Sequence, residues 1–120
     1  MSILQRFNLA GSVAIVTGSG RGIGRAIALA YADAGADVVC SARSLEDIEA
    51  VAEEVRSRGR GALALRCDVT DREQVDSAVA RTLEELGSVD ILINNAGTLD
   101  HVGQFHDQRA DLWERDLRVN

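Results

Sequence analysis

Short apolar runs alternate with longer amphipathic stretches along this chain. The runs predict strands at Val13 to Val16, Val38 to Ser41, Ala62 to Cys67 and Asp90 to Asn94, because short apolar runs bounded by turn residues are typical of buried strands. Strands that alternate with helices indicate a parallel sheet. With right-handed crossovers the strands stack in the order 3-2-1-4, which is one half of a doubly wound sheet.

The stretches between the strands carry apolar residues at helical spacing. Ser44 is predicted to cap the second helix, and a capping box of Thr70 and Glu73 is predicted to open the third. The predicted buried residues of the first helix are Ile23, Ile27, Tyr31 and Ala34. Those of the second are Leu45, Ile48, Ala52 and Val55. Those of the third are Val75, Val79, Thr82 and Leu86.

A loop from Gly97 to about His106 and a last helix from Arg109 to Asn120 complete the pattern. The fourth strand, Asp90 to Asn94, is nearly continuous in Ile and Leu, which predicts cover on both faces. Its outer edge would be apolar and unpaired, which complete domains avoid. We therefore expect residues 1–120 to be the N-terminal part of a longer protein, within one domain.

The composition narrows the classes of function. Nineteen acidic residues against thirteen basic ones give a net charge of −6, and every basic residue is arginine. An acidic chain lacks the basic surface that nucleic acids and anionic membranes require. No run reaches the roughly 18 apolar residues of a membrane span, and the N-terminus has no signal-peptide core. We expect a cytoplasmic protein that binds neither nucleic acid nor membrane.

The candidate metal ligands do not form a convincing set. Cys40 and Cys67 stand apart in apolar stretches, which indicates buried, reduced thiols. His101 and His106 have aspartates beside them, but no third ligand follows at regular spacing. The sequence therefore predicts no metal site, and the two histidines could instead border a substrate mouth.

The segment between the first strand and the first helix carries the clearest chemical signal. Glycine permits a tight turn and removes side chains where a diphosphate must approach, while the amino end of a helix attracts the anion. The spacing is Thr-Gly-x-x-x-Gly-x-Gly, because Ile23 occupies the third glycine position of the alternative Gly-x-Gly-x-x-Gly. The residues of this turn are Thr17, Gly18, Ser19, Gly20, Arg21, Gly22, Ile23 and Gly24.

Further motifs follow in order: CDVTD at residues 67–71, NNAG at residues 94–97, then Trp113 and Val119-Asn120. With these motifs the chain resembles the short-chain dehydrogenase/reductase family over essentially its whole length. The resemblance implies a Rossmann-like NAD(P)-binding domain over residues 1–120. It also implies an oxidoreductase that acts on a hydroxyl or carbonyl group of a small molecule, commonly as a homotetramer.

The resemblance also implies roles for particular residues. Gly18, Ser19, Gly20, Arg21, Gly22, Ile23 and Gly24 match the turn that holds the pyrophosphate and the adjoining ribose. Asp68 and Val69 match the pair beside the adenine ring, although Asp68 could be only a turn residue at the strand end. Asn95, Ala96 and Gly97 match the segment against the adenosine ribose, while Asn94 matches a residue that steadies the sheet. Asn120 matches the asparagine of the catalytic tetrad, which holds a water in a proton relay.

The end of the second strand distinguishes NAD from NADP, because an acidic residue there binds the ribose hydroxyls whereas a cation accommodates the 2′-phosphate. Ala42 stands where NAD-preferring relatives commonly carry Asp, and Asp37 lies at the other end of the strand. Arg43 follows, and Arg21 lies in the turn; two guanidinium groups could converge on the phosphate, or both could be solvated surface residues. The sequence predicts NADP(H), with NAD as the alternative.

The acid-base centre of the family, Tyr-x-x-x-Lys, is absent from residues 1–120. Tyr31 is the only tyrosine, and there is no lysine to lower its pKa. We therefore expect this chain alone to be inactive, with the pair lying beyond it. Two alternatives stay open: a non-catalytic dinucleotide-binding module or pseudoenzyme complete at this length, and an interaction domain that binds no cofactor.

Overall fold

The computed structural model describes residues 8–96 as a parallel four-stranded sheet with helices on both faces. The strands are β1 (Val13–Thr17), β2 (Asp37–Ala42), β3 (Ala62–Arg66) and β4 (Ile91–Ile93). The helices are α1 (Gly22–Asp33), α2 (Leu45–Ser57) and α3 (Arg72–Leu86). The strand order β3-β2-β1-β4 confirms the predicted topology and the Rossmann-like fold class. The predicted loop from Gly97 and the predicted last helix lie outside the described residues.

The core is divided between the two faces of the sheet, because successive strand residues point in opposite directions. On one face, Val38 and Cys40 of β2 pack with buried residues of α1 and α2. On the other face, Val39 packs with Leu65 of β3 and Ala78 of α3. This two-sided cover explains why the strands are nearly continuous in apolar residues. In the described part of the chain, no helix is long and apolar enough to cross a membrane.

Helix α1 packs on the sheet through small residues, so the predicted buried face of this helix was correct only in part: Ile27 and Tyr31 pack against the core, but Ile23 does not. Ile23, one of the predicted core residues, is 74% exposed. The other three, Ile27, Tyr31 and Ala34, are only half-buried. The residues that are buried are Gly24, Ala28 and Ala32. Small residues on this face let the helix backbone approach the strands closely, and the larger residues pack around the margin of the core.

Helix α3 starts with a different cap from the predicted one. Asp71 is the N-cap, and its carboxylate accepts hydrogen bonds from the backbone N–H groups of Glu73 and Gln74 at 3.0 and 3.3 Å. Thr70 instead donates its N–H and its hydroxyl to the Asp68 carboxylate. The predicted capping box was therefore wrong by one residue. An aspartate satisfies the same orphan N–H groups and adds a negative charge at the positive end of the helix.

The other helical predictions were correct in part. Ser44 caps α2 by accepting from the N–H of Asp47, as predicted. Ile48, Ala52 and Val55 are buried together with Val51, whereas Leu45 is 42% exposed. In α3 the buried residues are Ala78 and Thr82, and Val79 is 38% exposed.

Strand β4 is shorter than predicted, and its cover is incomplete within residues 8–96. Ile91 and Ile93 are half-buried, but Leu92 between them is 64% exposed. Ala14, Ile15 and Val16 of β1 align with these three residues, which makes β4 the outer strand of the described sheet. The prediction of a strand covered on both faces therefore does not hold for the described part of the chain.

Candidate functional site

The predicted site residues lie where the strands end, because parallel strands bring their carboxyl ends to one edge of the sheet. The Thr17 hydroxyl joins the ends of β1 and β4 there. It accepts hydrogen bonds from the backbone N–H groups of Asn95 and Ala96 at 2.9 and 3.0 Å, and it lies 3.3 Å from the Ile93 carbonyl oxygen and 3.4 Å from Oδ1 of Asn94. This role of Thr17 was not predicted, although a threonine at the end of a buried strand beside a Gly-rich turn was its signal.

The structure shows why two positions of the turn require glycine. A Cβ atom on Gly24 would collide with the carbonyl oxygen of Gly18 and would lie 2.6 Å from Nδ2 of Asn95. Gly22 has a φ of +61°, a conformation that other residues rarely adopt. The side chain of Asn95 also donates to the Gly18 carbonyl at 3.3 Å. The turn, the start of α1 and the residues after β4 are thus packed directly against one another.

The amino end of α1 differs from those of α2 and α3. Its N-cap, Arg21, makes no side-chain capping hydrogen bond, and the first turn contains no acidic residue. The N–H groups of Gly22, Ile23 and Gly24 have no partner within the helix, because the first turn of any helix leaves its donors unpaired. Their partial positive charge suits an anion. This end of α1 could hold a diphosphate group without displacing a cap.

Ser19 is directed into the protein. It is fully buried, its hydroxyl accepts the N–H of Ser41 at 3.0 Å, and its own N–H donates to the Ser41 carbonyl at 3.3 Å. Both groups are therefore engaged by β2. This contact was not predicted, because the glycine pattern of the turn carries no information about the neighbouring strand.

Arg21 and Arg43 are both exposed. Among residues 8–96, neither forms an ion pair, whereas the nearby Arg25 binds the Glu54 carboxylate at 2.6 and 2.8 Å. Arg43 lies immediately after β2 and lines an open groove of about 860 Å³ beside β3, together with Asp68. Two cationic side chains are thus available at the edge where the sequence predicts the 2′-phosphate.

Asp68 serves as a turn residue at the end of β3. One of its carboxylate oxygens accepts from the N–H of Thr70 at 2.9 Å and from its hydroxyl at 2.7 Å. This is the structural alternative that the sequence left open, and it holds in place a carboxylate that lines the groove. The adenine contacts of Asp68 and of the half-buried Val69 stay predictions.

Cys40 and Cys67 are both buried, as predicted, and neither forms a disulfide within the described residues. Burial raises the pKa of Cys40 to about 11, and the hydroxyl of Ser19 and the charge of Arg56 offset part of the rise. Burial also raises the pKa of Cys67. Both sulfur atoms are therefore held as neutral thiols, which suits packing rather than chemistry.

Some candidate residues cannot be placed. Gly97, Asn120, His101 and His106 lie outside residues 8–96. Within that range, no group of His, Cys, Asp and Glu side chains is arranged to hold a metal ion. The predicted site residues within 8–96 lie in the β1–α1 turn, at the ends of β2 and β3, and after β4.

The family model for short chain dehydrogenases matches residues 12–120, so the chain belongs to the short-chain dehydrogenase/reductase family. It is 40% identical over 121 residues to versicolorin reductase stcU from Emericella nidulans, a match that covers 100% of this chain and 46% of that protein. The chain spans about half the length of curated relatives such as this one.

Solved structures agree with this assignment. A short-chain type dehydrogenase/reductase from Mycobacterium marinum is 39% identical with a TM-score of 0.92, covering 99% of this chain and 48% of that one. A metagenomic short-chain oxidoreductase in complex with NADP is 36% identical with a TM-score of 0.83, covering 92% and 50%. Carveol dehydrogenase from Mycobacterium avium in complex with NAD is 30% identical with a TM-score of 0.87, covering 93% and 45%. Structural neighbours of the chain have thus been solved with either nicotinamide dinucleotide, NADP or NAD.

Proposed function

We propose that the whole protein is an NADP(H)-dependent oxidoreductase that acts on a hydroxyl or carbonyl group of a small molecule. The observation that carries the proposal is the uncapped amino end of α1, set behind a turn in which Gly24 packs against Gly18. In this proposal the N–H groups of Gly22, Ile23 and Gly24 bind the diphosphate of the cofactor. The bound nicotinamide supplies the hydride chemistry, and the residues of this chain hold and orient the cofactor.

The preference for NADP over NAD rests on this chain's own arginines, because its structural neighbours have been solved with either cofactor. Arg43 follows β2 directly and, within the described residues, has no carboxylate partner to neutralise it. In this proposal its guanidinium binds the 2′-phosphate, with Arg21 as a second cation, because planar guanidinium groups suit phosphate oxygens.

The adenosine half of the cofactor is assigned to the residues that follow β3 and β4. Asp68 and Val69 flank the adenine, and Asn95, Ala96 and Gly97 face the ribose. In support, Asn95 and Ala96 are tied to Thr17 at the start of the turn, so the two segments share one edge of the sheet. Asn120 is assigned to the proton relay, and the Tyr-x-x-x-Lys pair to sequence outside residues 1–120.

Cofactor titration tests the NADP assignment. We expect Arg43→Ala to weaken NADP+ binding about 10- to 100-fold and to leave NAD+ binding nearly unchanged, because a hydrogen bond to a charged group contributes about 1.5–3 kcal/mol. Arg60→Ala is a matched control, since Arg60 is also exposed but precedes β3 at the opposite end of the sheet. Equal weakening of both nucleotides by Arg43→Ala, or tighter binding of NAD+ to the unaltered protein, would contradict the assignment.

We further propose a cytoplasmic homotetramer for the whole protein, as the family resemblance implies. Light scattering coupled to size-exclusion chromatography tests the oligomeric state. A monomer at micromolar concentration would contradict this part of the proposal.

A further inference from the structure

The β1–α1 turn grips the end of β2 through Ser19. The hydroxyl oxygen and the N–H of this residue bind the N–H and the carbonyl of Ser41 at 3.0 and 3.3 Å. Ser19 and Ser41 are 0% and 3% exposed, so water does not compete for these hydrogen bonds. Since Arg43 lies two residues after Ser41, the reciprocal pair fixes the chain just before the arginine.

The turn also lies close to the chain four residues after the arginine. Gly20 of the turn lies against the first turn of α2, where an added Cβ would be 2.9 Å from Cβ of Asp47 and 3.6 Å from Cγ2 of Ile48. The turn is therefore hydrogen-bonded to the chain before Arg43 and lies close against the chain after it.

We propose that Ser19 is a positioning residue for cofactor selectivity, acting through Arg43 without contacting the cofactor through its side chain. The inference rests on the proposed function, in which the turn binds the diphosphate and Arg43 binds the 2′-phosphate. Within one cofactor molecule, covalent bonds limit the distance between the diphosphate and the 2′-phosphate. Arg43 favours NADP only if it is held at the matching distance from the turn, and preorganisation of this kind raises affinity without new contacts.

A double-mutant cycle in the whole protein tests this inference. The readout is the ratio of the dissociation constants of NAD+ and NADP+, measured for the unaltered protein, Ser19→Ala, Arg43→Ala and the double variant. We expect Ser19→Ala to lower this ratio about three- to ten-fold. In the Arg43→Ala background the same substitution should leave the ratio unchanged, because residues that act through one another are not additive. Ser19→Cys replaces the hydroxyl with a somewhat larger thiol that is a weaker acceptor, and under reducing conditions we expect an intermediate ratio.

A matched control separates positioning from general destabilisation. Thr82 is also 0% exposed, and its hydroxyl donates to the Ala78 carbonyl at 2.8 Å, on the opposite face of the sheet from α1 and α2. Thr82→Ala should lower the melting temperature as Ser19→Ala does, with the selectivity ratio unchanged.

The outcomes distinguish this inference from the proposed function. If Ser19→Ala weakens both nucleotides equally, or changes the ratio by the same factor with and without Arg43, the positioning role is overturned while the NADP assignment stands. If Arg43→Ala itself leaves the ratio unchanged, the NADP assignment and the inference both fail. If Ser19→Ala does not fold, Ser19→Cys decides by the same criteria.

Discussion

At the scale of single residues, buried polar groups define how this site is built. Thr17 and Ser19 are both enclosed, and each joins the β1–α1 turn to a different neighbouring strand end. The glycine spacing around them was sufficient to predict the turn. It was not sufficient to predict these two contacts, because they depend on which strands lie on either side of β1.

Cys40 provides a residue-scale prediction on pH and stability. Burial raises the pKa of its thiol in the folded protein from 9.0 to about 11, so the folded state binds this proton more tightly than the unfolded state does. The resulting stabilisation is complete below pH 9 and is lost as the pH rises to 11. We expect the free energy of unfolding to fall across this window by up to about 3 kcal/mol.

Urea denaturation at intervals between pH 8 and 11 measures this loss. The control is Cys40→Ala, whose free energy of unfolding should be lower at pH 8 but should decline less across the window. The chain has no lysine that would titrate at these pH values, which makes the comparison simpler than in most proteins. Parallel decline in both proteins would show that Cys40 is not the cause.

At the scale of elements, the strands were predicted better than the helix faces. A short apolar run indicates a buried strand directly, whereas the face of α1 was predicted from helical spacing, and α1 is apolar on more than one side. Ile23 fits the spacing but is 74% exposed, while Ala28 and Ala32 are buried. Close packing between helix and sheet selects small residues, and periodicity does not reveal how close that packing is.

The cap of α3 gives an element-scale prediction. Asp71 accepts hydrogen bonds from N–H groups in the first turn, while Thr70 donates both its N–H and its hydroxyl to Asp68. We expect Asp71→Ala to lower the free energy of unfolding by about 1 kcal/mol, the usual loss for an N-cap. Thr70→Ala is the matched control and should cost less.

Urea denaturation of the two variants provides the measurement. The sequence pattern alone favours Thr70 as the cap, so a larger loss for Thr70→Ala would support that pattern and contradict the observed hydrogen bonds.

At the scale of the whole molecule, the strand order followed from the sequence because right-handed crossovers leave few arrangements for alternating strands and helices. The meeting of the predicted site residues within 8–96 at one edge followed as well, since all strands of a parallel sheet point the same way. The link between the turn and the segment bearing Arg43 could not be predicted. It depends on the contact of Gly20 with Asp47, which are 27 positions apart in the sequence.

A crystal structure of the whole protein with NADP+ is the most direct test of where the cofactor lies. We expect the diphosphate to accept hydrogen bonds from backbone N–H groups at the start of α1, among Gly22, Ile23 and Gly24, and the 2′-phosphate to contact Arg43. A diphosphate bound at any other place in the protein, or a 2′-phosphate that faces solvent away from Arg43, would contradict the account.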